Sequence, residues 1–334
     1  MDIKLNNQSI CGLKSTYYWI GYLDNILCYG EDARKSRLET TGFYEDSDPS
    51  TTDFFQHSGS RTRALLTNES KKWSIKTRIY HGLFQISKAL LPMIQLNFNF
   101  MLNDKLKVLK TPILNHEFKY SISNFKLFLR KIKVSADFQV NIERQLSKTP
   151  ASYCFDHFRC TGISLPAGTQ NQHFPDIFNS VVQPELCIIW FVNHASSQGT
   201  YLTSVFKAEH FDLKEIYLRL ENETYPAVPY ELNFNDASFS NKFVRLWSNL
   251  LPGDLSEDNG VLIDQQKFKD GFSFFLINFS PDLNGLFEPK IGSTFLHLCF
   301  NTPLRNPVKM YVFTKDPVCL RIDSDRQVNR DYVL

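Results

Sequence analysis

Residues 94–100 read Ile-Gln-Leu-Asn-Phe-Asn-Phe, so apolar side chains alternate strictly with polar ones. Successive side chains of a β-strand point to opposite faces of its sheet. This stretch therefore predicts a strand with one face buried and the other face in water. The same alternation recurs at residues 118–122 (Phe-Lys-Tyr-Ser-Ile) and 216–220 (Ile-Tyr-Leu-Arg-Leu). Because the pattern occurs in both halves of the chain, it favours a mainly β protein.

Apolar runs bounded by turn residues predict further strands. They lie at residues 1–5, 125–134, 153–165, 186–193, 272–279, 294–300, 308–313 and 318–322. No regular alternation of strands with helices is visible, so we expect antiparallel sandwiches rather than a parallel sheet. The strands fall into two groups separated by a helix-forming stretch, which predicts two β-sandwich lobes with a few short helices.

The stretches between the strands predict the helices and the division into lobes. Helical spacing of apolar residues predicts helices from about residue 17 and at residues 238–250. A second turn or helix is expected at residues 31–39 and a short helix at 137–146. Residues 40–72 are rich in Ser, Thr, Asp and Gly and predict a long surface loop. The expected division is a first lobe at residues 1–135, a helical connector at 136–150 and a second lobe at 151–334.

The composition excludes several classes of protein. The 334 residues include 37 basic and 35 acidic side chains, which give a formal net charge of +2. A chain built chiefly to bind nucleic acid usually carries a strong basic excess. No apolar run approaches the roughly 20 residues of a membrane span, and the first residues lack the apolar centre of a signal peptide. We therefore expect a protein that is neither membrane-bound nor secreted.

The seven cysteines are scattered, and several lie within apolar runs that resemble strands. Buried cysteines commonly remain free thiols in a reducing compartment, whereas disulfide frameworks belong to oxidising ones. Free thiols in an intracellular protein are therefore the favoured interpretation, and a disulfide framework is the alternative.

The spacing Cys154-x-x-His157-x-x-Cys160 comes nearest to a metal-binding motif. On a strand, Cys154 and Cys160 would share one face and His157 would lie on the other, so the three do not converge without a bulge. A structural role is therefore favoured. The sequence also lacks a nucleophile elbow, a P-loop and a glycine-rich dinucleotide motif. We predict no catalytic, cofactor-binding or metal-binding residues, and we predict that the chain is not an enzyme.

A basic cluster occupies the predicted strand at residues 125–134. It consists of Lys126, Arg130, Lys131 and Lys133. Phosphate groups need only positive charge, so a weak, non-specific contact with nucleic acid is one interpretation. A solvated strand face, or a charged edge that prevents aggregation, is the favoured one.

Four stretches in order along the chain resemble one family of viral proteins. Residues 29–36 read Tyr-Gly-Glu-Asp-Ala-Arg-Lys-Ser, and residues 127–135 read Leu-Phe-Leu-Arg-Lys-Ile-Lys-Val-Ser. Residues 274–282 end in Asn-Phe-Ser-Pro-Asp, where the family has Thr-Pro-Asp, and residues 321–332 match its closing Ile-Asp-x-x-Arg-x-Val-x-x-Asp-Tyr. The chain thus resembles the double jelly-roll major capsid proteins of Maverick/Polinton-type elements and adintovirus-like viruses.

This resemblance implies a fold and a role. It implies two jelly rolls side by side, three chains forming a pseudo-hexagonal capsomer, and a location in the virion capsid together with other capsid proteins. Residues 1–7 match an internal strand and turn of the family, so the first jelly roll is expected to be incomplete. The alternative is a host-used jelly-roll module that binds a glycan or protein ligand through its loops.

Overall fold

The described part of the chain consists mainly of antiparallel strands with a few short helices, which confirms the predicted fold class. The computed structural model describes residues 1–11, 13, 15–46, 58–113, 116–178, 182–236, 239, 243, 263–279 and 290–332. The strands are β1 (Asp2–Leu5), β2 (Gln8–Cys11), β3 (Leu96–Asn99), β4 (Ala151–Leu165), β5 (Asn171–Phe174), β6 (Leu186–Asn193), β7 (Leu213–Leu220), β8 (Glu223–Glu231), β9 (Phe275–Asn278), β10 (Thr294–Phe300), β11 (Val308–Ile322) and β12 (Val328–Tyr332). The α-helices are α1 (Tyr17–Leu27), α2 (Glu31–Arg34), α3 (Ser58–Thr67), α4 (Lys105–Val108), α5 (Ala136–Leu146), α6 (His194–Gln198) and α7 (Gln265–Lys269).

Strands β4 to β11 form a jelly roll. They pair as a nested antiparallel set in which the first joins the last: β4 with β11, β5 with β10, β6 with β9, and β7 with β8. Further pairing of β11 with β6 and of β10 with β7 rolls this ribbon into two sheets. One sheet contains β4, β11, β6 and β9, with β12 added to β11, and the other has the order β5-β10-β7-β8. A long antiparallel ribbon rolled into two sheets is the jelly-roll architecture.

Both faces of the central strand β6 are buried. Phe191 points between the sheets, where its ring centroid lies 5.7 Å from that of Phe300 on β10. Trp190 points to the other face, where the ring of Trp19 from α1 covers it at 4.7 Å. A strand covered on both sides needs apolar residues at successive positions rather than at alternate ones. This explains why the sequence of β6 is a continuous apolar run.

Strand β11 is continuous, although the sequence predicts two strands separated near Pro317. Strand β6 pairs with β11 only as far as Lys315, and β12 pairs with it only from Val318. The carbonyl of Lys315 accepts a hydrogen bond from the amide of Glu185, so Pro317, two residues later, faces the same side. Proline is tolerated in a strand where its missing N–H has no partner. The prediction of two strands was wrong, because β11 continues through Pro317. What changes there is its partner, from β6 to β12.

Strands β1, β2 and β3 form a separate sheet, with β1 in the middle. Buried Ile3 and Leu5 of this sheet pack in a second core together with Tyr153 of β4 and Leu320 of β11. The main core contains the other ends of the same two strands, for example Phe313 of β11. The long strands β4 and β11 therefore contribute to both cores.

The helices agree only in part with the sequence expectations. The helices predicted from Tyr17 and at residues 137–146 are confirmed as α1 and α5. The predicted surface loop at residues 40–72 contains the helix α3, which the mixed polar composition concealed. The predicted helix at 238–250 lies outside the described residues except for Phe239 and Phe243, both of which are helical. No helix of the described residues is both long and apolar enough to cross a membrane.

The strands predicted at residues 118–122 and 125–134 were wrong, since no described residue of these stretches lies in a strand. An alternating pattern shows which side chains a sheet would bury, but a strand also needs a neighbour for its backbone N–H and C=O groups. Among the described residues, no neighbouring strand pairs with this part of the chain.

The expectation that all cysteines are free thiols was wrong for one pair. Cys154 and Cys319 occupy opposing positions on β4 and β11 and form a disulfide bond. The other five cysteines are free. Cys154 and Cys319 are separated by 165 residues, so only the strand register brings them together.

Candidate assembly surface

Exposed hydrophobic side chains are concentrated at residues 100–140, which we call the apolar segment. Among the described residues, 21 large hydrophobic side chains are exposed, and 14 of them belong to this segment. They are Phe100, Met101, Leu102, Val108, Ile113, Ile122, Phe125, Leu127, Phe128, Leu129, Ile132, Val134, Phe138 and Val140. Single apolar residues on a surface are ordinary, but a concentration of them marks an interaction surface.

The beginning of the apolar segment is attached to the jelly roll. The Lys110 ammonium donates hydrogen bonds to the carbonyls of Thr200 and Thr203, and burial lowers the pKa of Lys110 to about 8. The amide of Thr111 donates to the carbonyl of Tyr201 at 3.0 Å. The Phe118 ring meets that tyrosine edge-on, with 5.8 Å between centroids. By contrast, residues 121–140 are exposed throughout.

A row of aromatic rings connects the second core to the apolar segment. The ring centroids of Phe84 and Phe98 are 5.8 Å apart, and those of Phe98 and Phe100 are 6.0 Å apart. Phe125 continues the row at 4.9 Å from Phe100. Phe84 and Phe98 pack against the second core, whereas Phe125 is 61% exposed. The apolar surface is therefore continuous with the interior.

The apolar segment is also the place where the predicted basic cluster lies. Lys126, Arg130, Lys131 and Lys133 are all exposed, but they lie on an extended stretch rather than on the predicted strand. Residues 118–135 contain no acidic side chain. Such a surface offers apolar contacts and positive charge together.

The three residues of the spacing Cys154-x-x-His157-x-x-Cys160 do not converge. Cys154 is bonded to Cys319, so its sulfur is occupied. His157 is buried near Arg330, and burial lowers the pKa of His157 to about 3. Cys160 lies in the main core, where burial raises the pKa of its thiol to about 12, and its carbonyl accepts a hydrogen bond from Thr16 of the α1 N-terminus. The structure thus gives these residues separate packing roles.

Titratable side chains also meet in a surface hollow near α7, but each has a structural partner. His210 accepts a hydrogen bond from the amide of Asp212, and its ring stacks on Phe234 at 3.9 Å. Lys207 pairs with Glu209 at 2.6 Å. These contacts occupy the charged groups, and they place no nucleophile beside a base among the described residues of the hollow.

Comparison with known proteins finds distant similarity. No family model matches the chain. An uncharacterized protein of Caenorhabditis elegans is 19% identical over 299 residues, which cover 86% of this chain and 68% of that protein.

Several solved capsid structures are also similar to the chain. The PBCV-1 virus capsid is 14% identical, with a TM-score of 0.32 over 58% of this chain and 55% of that one. The mavirus major capsid protein is 11% identical, with a TM-score of 0.30 over 57% of this chain and 43% of that one. The chain thus spans about half the length of these proteins. At these TM-scores, the jelly-roll assignment rests on the strand pairing and not on the likeness.

Proposed function

We propose that the chain is a structural subunit of a capsid, a double jelly-roll protein of the Maverick/Polinton type that assembles as a homotrimer. The observation that carries this proposal is the apolar segment, because 14 exposed hydrophobic side chains in one stretch are unusual for a protein that functions as a monomer. The nested pairing of β4 to β11 supports the jelly-roll part, and the four sequence motifs support the family.

In this proposal, the apolar segment completes its fold by contact with another copy. Residues 125–134 are rich in apolar side chains, as the sequence-predicted strand requires, but no described strand pairs with them. An exposed sheet edge can accept an extended segment through main-chain hydrogen bonds, while side-chain pockets supply the specificity. The division into a first lobe at 1–135, a connector at 136–150 and a second jelly roll at 151–334 belongs to the same proposal.

The proposed place of action is the virion capsid, in contact with other capsid proteins. In an assembled shell, the basic residues of the apolar segment would make at most weak, non-specific contacts with nucleic acid. These contacts would depend strongly on salt, because they would act through phosphate groups. No chemical step is assigned to the protein.

The test measures the mass of the purified chain by light scattering coupled to size-exclusion chromatography. We expect a species of three times the 38.8 kDa chain mass. Phe128 and Ile132 are 82% and 66% exposed, so the double substitution Phe128→Lys/Ile132→Lys should leave the fold intact and shift the mass to that of one chain. Phe295 on β10 is 47% exposed and lies outside the apolar segment, so Phe295→Lys is the matched control and should remain trimeric.

A folded wild-type chain that stays monomeric over the micromolar range would contradict the assembly proposal. Equal loss of assembly in the Phe295→Lys control would contradict the role of the apolar segment. Binding of the monomer to a glycan array would instead favour the host-used binding module.

A further inference from the structure

Two histidines meet on the outer face of the four-stranded sheet. His173 of β5 lies directly opposite His297 of β10. Their Nδ1 atoms are 3.2 Å apart, and their ring centroids are 4.5 Å apart. His173 is exposed and the His297 side chain is 16% exposed, so the pair lies at the solvent-facing surface of the sheet.

The separation of the two nitrogens fits two ligands of one metal ion. Imidazole nitrogens bind Zn²⁺ at about 2.0–2.1 Å with tetrahedral angles, which places two such nitrogens roughly 3.3 Å apart. Because the residues oppose each other across a paired register, the strands themselves hold this spacing. The rings would have to turn only so far that both Nδ1 lone pairs face the ion.

Glu215 of β7 fixes the second nitrogen of His297. The Nε2 atom of His297 lies 3.7 Å from a carboxylate oxygen of Glu215. This carboxylate favours a proton on Nε2, so Nδ1 of His297 keeps its lone pair towards His173. Histidines that bind metals usually present their other N–H to a carboxylate or carbonyl in this way. The ring of Tyr217, 4.7 Å away, packs against His297 and restricts its rotation.

We propose that His173 and His297 form a binding site for a divalent transition-metal ion such as Zn²⁺ or Ni²⁺. Among the described residues, no group of three or more His, Cys, Asp or Glu side chains is placed to hold an ion, so water completes the coordination. Without metal, Nδ1–H of His173 donates a hydrogen bond to the lone pair on Nδ1 of His297. With metal, His173 is the tautomer with its proton on Nε2, so both Nδ1 lone pairs are available to the ion and both rings remain neutral.

The ion would join an edge strand to the sheet. β5 has only four residues, and β10 is the one described strand that pairs with it. A bond from the ion to each strand would therefore hold β5 against β10. Ligand binding to the folded state alone raises its stability, so the thermal unfolding midpoint should rise when Zn²⁺ is added.

Isothermal titration calorimetry with ZnCl₂, NiCl₂ and CaCl₂ tests the site directly. We expect one Zn²⁺ and one Ni²⁺ per chain and no Ca²⁺, because Ca²⁺ prefers oxygen ligands. His173→Ala should abolish binding, and this exposed residue can be changed without loss of the fold. His116→Ala, at another exposed histidine, is the matched control and should bind normally. Glu215→Gln should weaken binding about tenfold by freeing the His297 ring.

Two outcomes would overturn the site. One is a wild-type protein that binds neither ion at concentrations below a millimolar. The other is a His173→Ala variant that binds as tightly as the wild type. Trimer formation is measured separately, so a failure of the metal site would leave the capsid proposal standing.

Discussion

The His81 ring lies 5.3 Å from that of Phe155, and its two ring nitrogens have opposite roles. Its Nδ1 atom accepts a hydrogen bond from the Leu83 amide at 3.2 Å. Its Nε2 atom is therefore the one that carries the proton, and it donates to the Ile10 carbonyl at 3.2 Å. Protonation of Nδ1 would place two N–H groups against each other. The geometry thus requires a neutral ring.

We expect these buried histidines to make the fold sensitive to acid. Burial lowers the pKa of His81 to about 4 and that of His157 to about 3, against about 6.5 in the unfolded chain. Between these values the unfolded chain binds more protons than the folded chain, so the free energy of unfolding falls as pH drops from 6.5 towards 4. Above pH 6.5 both histidines are neutral in both states, and they cause no change. The lowered pKa of His81 alone should reduce the free energy of unfolding by on the order of 3 kcal/mol once the pH has fallen below 4.

Guanidinium unfolding at pH 7, 5.5 and 4.5 measures this loss. The substitution His157→Phe removes one titrating ring and should flatten the decline relative to the wild type. His116→Phe, at an exposed position, should keep the wild-type slope. Carboxylates titrate in the same range, so the comparison between variants is decisive. Parallel slopes for His157→Phe and the wild type would contradict the role of His157.

At the scale of elements, Pro317 gives a position-dependent test of β11. Its nitrogen faces the gap between β6 and β12, so Pro317→Val should change the free energy of unfolding by less than about 0.5 kcal/mol. The carbonyls of residues 307 and 315 both accept hydrogen bonds from the β6 side of β11. The backbone of Lys309 faces the same side, inside the region where β11 pairs with β6. Lys309→Pro should therefore cost at least about 1–3 kcal/mol, the cost of an unmet buried hydrogen bond. Chemical denaturation compares the two variants, and equal losses would mean that β11 is not paired in this way.

The strands that the sequence predicts well are those with apolar residues on at least one face. β6 and β10 have the predicted bounds, whereas β5 and β8 were missed. β5 is a short polar stretch, and β8 contains Pro226 and Pro229. Both lie at the edges of their sheet as the described strands form it. Burial at an edge is partial and proline is tolerated there, so hydrophobic alternation is weak.

Features that depend on strand register could not be predicted. His173 and His297 are far apart in sequence, and so are the disulfide partners Cys154 and Cys319. Only the pairing of β5 with β10 and of β4 with β11 brings each pair together. For the apolar segment the opposite holds: its sequence pattern is evident, but the strand partner that the pattern requires is not present among the described residues.

At the scale of the whole molecule, the two cores are connected through β4 and β11. Each of these strands has 15 residues, and each contributes its two ends to different cores. In the described part of the chain, the sheet of β1, β2 and β3 therefore shares its core with the ends of β4 and β11. Such an arrangement couples the cores, because unfolding one of them exposes apolar residues on strands that the other requires.

This coupling predicts one cooperative unfolding transition for both cores. Leu5 is fully buried in the second core, so Leu5→Ala should cost about 2–5 kcal/mol. Trp19 and Trp190 lie in the main core, and their fluorescence should report the same loss although they are not in the core that was changed. Ile291→Ala, at an exposed residue, is the control and should leave the midpoint unchanged. If the two cores unfolded independently, the tryptophan midpoint would stay at its wild-type value while far-ultraviolet circular dichroism showed a second, earlier transition.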